Sequence, residues 1–168
     1  MDHRLRCPET EAVVLKALVR RGPEFYPVLA GMKFDRTDLY VDRHQRLYDV
    51  CCYLLAGGGA AGTMDVFNEL KARRDPSLGG NFASPGETVH FLIDVYLADP
   101  WFPDIKEWAD PGLPETDPIL WAGAAAVLKV RHLAARRRAA VRASELEREA
   151  LNPTAGPDEL SDAVDEWG

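Results

Sequence analysis

From about Ile119 to Leu151 the chain contains no proline and a single glycine, Gly123, and alanine, leucine, arginine and glutamate dominate. These residues lose little on entering a helix, so the run predicts one continuous helix. At about 1.5 Å per residue it is a rod of roughly 50 Å, longer than a compact domain of 168 residues needs. Leu120, Ala124, Val127, Leu128, Val130, Ala134, Val141 and Leu146 recur mostly at spacings of three, four or seven, which puts an apolar stripe along one side. Large apolar residues thin out in the outer half, as expected of a helix that projects from a globule. Asn152-Pro153 and Gly156-Pro157 predict a turn, and Asp158 to Trp167 begins a return helix with Leu160, Ala163 and Val164 inward. A projecting hairpin cannot bury such a stripe by itself, so another copy or another protein is expected beside it. The residues expected at that interface are Val127, Leu128, Val130, Leu133, Val141, Leu146, Leu160 and Val164.

The rest of the chain also has helical periodicity. Between Asp38 and Gly59, Tyr40, His44, Leu47, Tyr48, Cys51, Leu54 and Leu55 share one helical face, while Asp42, Arg43, Gln45, Arg46 and Asp49 lie off it. Gly57-Gly58-Gly59 stops that helix. Upstream, Pro8 suits a first helical position and Glu9 and Glu11 suit the positive end of a helix dipole. The apolar face that follows should end at Gly22-Pro23, with a second short helix over Glu24 to Ala30 burying Phe25 and Leu29. Gly31 to Thr37 reads as a loop whose Phe34 plugs the core beside Tyr40. Thr63 is placed as an N-cap, with Val66, Phe67 and Leu70 following at helical spacing up to Asp75-Pro76. Ser84-Pro-Gly-Glu87 starts a further helix that buries Val89, Leu92, Ile93 and Tyr96. The expected architecture is all-α: a compact bundle of about five to six helices in residues 1–118, then the projecting hairpin of residues 119–168. Residues 98–118, with five prolines and six acids facing a single Lys106, read as an ordered insertion packed back on the bundle.

The search for chemistry removes most function classes. Gly57 to Thr63 imitates the glycines of a P-loop but lacks its lysine and follows a helix rather than a strand. His3, His44, His90 and His132 are scattered, and no Cys-x-x-Cys pair exists, so no metal site is expected. His44 is read as a hydrogen-bonded core residue. Cys51 is expected in the core and neither it nor Cys52 has an activating neighbour. No catalytic, cofactor or metal residues are assigned. Three cysteines make no disulfide framework. With no apolar run able to span a bilayer and no secretory leader, this points to a cytoplasmic protein without a membrane partner. A net charge of −7 argues against nucleic-acid binding over the whole surface. One basic cluster remains: Arg131, Arg136, Arg137, Arg138 and Arg142. Either it is a solvated face paired with Glu145, Glu147 and Glu149, or it contacts nucleic acid or an acidic partner.

The order of these pieces resembles the N-terminal domain of DnaB-type replicative helicases. Pro8, Ala12, Leu15 and Leu18 fit the family's opening helix, with Glu11 one position from the usual acid. Asp38-Leu39-Tyr40 and His44-Gln-Arg-Leu47-Tyr48 resemble its acidic-aromatic step and the His-x-x-Leu-Tyr helix. Thr63 to Leu70, Gly79-Gly80 with Phe91-Leu92, and the arginine-rich helix with its partner follow in the family's order. The resemblance implies an assembly module rather than an enzyme. Such domains pair through their hairpins into a collar, as a dimer or a ring of dimers, and help to recruit primase or a loader; the ATPase motor would lie beyond Gly168. Two other readings stay open: the helicase-binding domain of a primase, and a helical regulator whose basic hairpin binds nucleic acid.

Overall fold

Pro8 takes the first position of α1 (Pro8–Gly31), where its missing N–H costs nothing, and Glu9 and Glu11 lie in the same turn. The structure, a computed structural model, describes residues 7–73 and 109–151. The described residues are helical or in loops: α1, a 3-10 turn (Arg36–Asp38), α2 (Asp42–Ala56), α3 (Thr63–Ala72) and α4 (Pro118–Ala150). The helix expected after Ser84, most of the 98–118 insertion and the return helix from Asp158 lie outside the described residues.

The break expected at Gly22-Pro23 is observed as a kink at which two helical segments meet within α1, with Glu24 to Ala30 in the second. Arg21 has non-helical angles (φ −134°, ψ 34°), and both Pro23 and Pro27 lie within the helix. A proline removes one amide and crowds the carbonyl four residues back, which bends a helix whose ladder resumes beyond. Gly22 serves packing here rather than a chain reversal: a Cβ on it would lie 2.7 Å from Leu55 Cδ2 of α2. On either side of the kink Glu11, Leu15, Leu18, Phe25 and Leu29 are buried on one stripe. After α1, Lys33 adopts a left-handed φ of 51° and turns the chain back. Phe34 enters the core, as expected, and packs against Tyr48. Their rings lie edge to face, 5.5 Å between centroids, and the Tyr48 hydroxyl donates to the Phe34 carbonyl at 3.1 Å.

His44, Leu47, Tyr48, Val50, Cys51 and Leu55 form the buried face of α2, whereas Leu54 is half-buried. Gly57 caps the helix and Gly58, at φ 75°, takes the left-handed turn that the glycine run allows. Gly62, not Thr63, is the N-cap of α3. The Asp65 carboxylate accepts the Gly62 amide at 3.2 Å, so the threonine hydroxyl is not required there. Val66 and Leu70 point into the core.

Asp117 caps α4, its Oδ1 accepting the amides of Ile119 and Leu120 at 3.1 Å each. The helix then enters the bundle on its smallest residues. Ala122, Ala124, Ala125 and Ala126 are fully buried. A Cβ on Gly123 would stand 2.6 Å from Ala17 Cβ and 2.8 Å from Phe25 Cζ, so α1 and α4 touch almost backbone to backbone. The chain falls into two compact units, Met1–Ala134 and Ala135–Gly168, and the first half of α4 lies in the first of them.

Candidate functional site

The outer half of α4 carries most of the residues singled out by charge and periodicity. In the unit that starts at Ala135, Arg136 and Arg138 are exposed and Arg137 is buried. Arg142 is half-buried and pairs with Glu145 at 3.4 Å, the local pairing expected of a helix surface. Val141 is 47% exposed and Leu151 75%, while Leu146 is half-buried. Leu160 and Val164 lie outside the described residues.

The inner half of α4 is committed differently. Val127 and Val130, expected at an interface, are fully buried in the core of the first unit with Ala122, Ala124 and Ala126. The stripe is continuous in sequence, but the bundle consumes its first turns; Leu128 and Leu133 beside it are half-buried. Arg131 likewise leaves the basic cluster. Its Nη1 donates to the Met32 carbonyl, at the negative end of α1, and its Nε lies 4.0 Å from the buried Asp38 carboxylate. An arginine that looked like a surface contact is therefore a brace between α1, the 3-10 turn and α4.

A second constellation was not anticipated. Glu11 is buried, and its carboxylate accepts three donors from the start of α2: the Tyr40 amide at 2.7 Å, the Val41 amide at 3.2 Å and His44 Nδ1–H at 2.9 Å. Val41 is the N-cap of α2 and offers no side-chain cap. Glu11 thus supplies from α1 the acceptor that a Ser, Thr or Asp would supply locally. The signal was available: Glu11 falls four residues before Leu15 and seven before Leu18 on the apolar stripe, and His44 falls on the stripe of α2. A carboxylate and an imidazole on two inward faces must find partners, and each is the other's.

The cysteines offer little reactivity. Burial pushes the Cys51 thiol well above its ordinary range and the Cys52 thiol up to about 11, so both are protonated at neutral pH. Among the described residues no group of three or more His, Cys, Asp or Glu could hold a metal ion. No described helix is long and apolar enough to cross a membrane.

No protein-family model and no curated protein matches the sequence. Among solved structures, the N-terminal domain of DnaB helicase from Mycobacterium tuberculosis is similar to this chain with a TM-score of 0.65, at 20% sequence identity and over 96% of each chain. With that coverage, this chain has the fold of the N-terminal domain of DnaB helicase.

Proposed function

We propose that this domain is a non-catalytic assembly module of the replicative-helicase kind, which associates with further copies of itself through the outer half of α4 and offers a docking surface to a primase or a helicase loader. The observation that carries the reading is the match over 96% of both chains to a domain of a helicase. It is supported by an α4 of 33 residues that continues beyond its last core residue, Ala134, with Val141 and Leu151 exposed. Apolar side chains at such exposure on a long helix gain free energy when a partner covers them, at roughly 25 cal/mol per Å² removed from water. The described part of the pairing surface comprises Leu133, Val141 and Leu146. Leu128 flanks it on the bundle side.

Sedimentation or multi-angle light scattering over a wide concentration range tests the reading. The expected result is a dimer or a larger ring that dissociates in Val141→Lys while its helical content is unchanged. A monomer at every concentration would remove the basis for self-assembly. Primase or loader contact is tested separately, by titrating the purified domain with each protein at fixed salt.

A further inference from the structure

The kink of α1 and the start of α4 share one ion pair. Arg21, whose backbone angles break α1, places Nη2 2.6 Å from Asp117 Oδ2 and 3.6 Å from Glu24 Oε1. The other oxygen of Asp117 accepts the Ile119 and Leu120 amides, and its carbonyl accepts the Trp121 amide at 3.0 Å. One residue therefore grips α1 with one oxygen and caps α4 with the other. The Arg21 Nε is buried with no hydrogen-bond partner among the described residues, and Nη2 makes the ion-pair contacts. The side chains of Arg21 and Asp117 remain 39% and 24% exposed, open enough for salt to screen them.

We propose that Arg21 and Asp117 form an ionic-strength-sensitive latch that couples the kink of α1 to the first turn of α4. With the latch closed, the Asp117 carboxylate is oriented toward the amides that α4 cannot satisfy itself. With the pair screened or removed, that carboxylate turns more freely, the cap weakens, and the turn bearing the half-buried Ile119, Leu120 and Trp121 frays. Fraying stops at Gly123, where contact with Ala17 and Phe25 holds the helix independently of charge.

Amide hydrogen exchange tests the latch. In low salt, the Ile119 and Leu120 amides should exchange about three- to tenfold faster in Arg21→Gln than in the wild type, the range expected of a short, partly shielded pair. Asp117→Asn keeps a capping oxygen but loses the charge, and should match Arg21→Gln. Wild-type exchange should approach that of the variants at about 1 M salt, where the screening length is about 3 Å, and the variants should respond little. Amides of Val50 and Cys51 in α2 report whether the fold is intact. Equal rates in wild type and both variants, or a salt response that persists in Arg21→Gln, would overturn the proposal. Should both variants unfold, the wild-type salt titration decides alone, and a flat response at Ile119 and Leu120 rejects the latch.

Discussion

Removing the Glu11 carboxylate should be among the most damaging single changes on the surface-facing or core side of α1, although it deletes no large apolar group. Glu11→Ala leaves the Tyr40 and Val41 amides and the His44 ring without the acceptor that now receives all three. An unsatisfied buried donor costs about 1–3 kcal/mol, and three donors lose their acceptor together. The amides are only partly buried, and water can enter the space left by the side chain, so about 3–4 kcal/mol is expected rather than the full sum. At about 2–4 °C per kcal/mol for a chain of this size, Tm should fall by roughly 10 °C. Glu11→Gln keeps the shape and one acceptor oxygen but turns an NH2 group toward a donor, so it should lose about 2 kcal/mol. Urea denaturation followed by circular dichroism gives both values, provided the slope m is unchanged between variants. A cycle with His44→Ala isolates the pair, and a coupling of at least about 1 kcal/mol is expected between groups in direct contact. Loss of less than about 1 kcal/mol in Glu11→Ala would refute the claim that this carboxylate serves as the missing cap of α2.

Charge placed on the inner half of α4 should unfold the bundle rather than dissociate an assembly: Val127→Lys buries an ammonium in the core and should abolish cooperative thermal unfolding, whereas Val141→Lys leaves Tm of the monomer nearly unchanged. Gly123→Ala adds a methyl group where Ala17 and Phe25 leave no room, and a loss of about 1–3 kcal/mol by chemical denaturation is expected. The thiol of Cys52, raised from 9.0 to about 11 in the folded chain, ionises first in the unfolded chain. Its contribution is therefore complete below pH 9.0 and lost as pH rises toward about 11, and Cys52→Ala should flatten that alkaline decline in denaturation midpoint. Cys51, fully buried, should resist alkylation until the chain unfolds.

Local chemistry was a good guide wherever a residue acts through its own backbone. Pro8 at the start of α1, the glycines after α2 and the breaker-free run of α4 each operate within a few residues, so sequence order carries the information. What local chemistry left open is mostly the partner of a side chain that lies distant in sequence. Gly22-Pro23 marks the kink beside Arg21, as its chemistry predicts, but only the approach of Leu55 shows that the missing Cβ also makes room for α2. Phe34 lies in the core as its chemistry predicts, but its edge-to-face contact with Tyr48 depends on how the chain turns at Lys33. Thr63 had the chemistry of a cap, yet α3 starts one residue earlier in register, with Gly62 as the N-cap and its amide donated to the Asp65 carboxylate.

The sequence by itself determined that these segments are helical, where α2 ends, where α4 begins and ends, and which side of α2 faces inward, because helix propensity, capping and 3.6-residue periodicity are local properties; that α2 starts only at Asp42, leaving Tyr40 outside it, was not among these. Only the tertiary structure decided how the stripe of α4 is divided. A uniform spacing of alanine, valine and leucine cannot say where a bundle ends, and the close contact of Gly123 with α1 draws Val127 and Val130 into the core. The same contact geometry turned Arg131 from a surface charge into a brace, and joined Glu11 to the first turn of a helix 30 residues away. Those assignments depend on which helices meet and at what distance, and that is set by packing across the whole bundle.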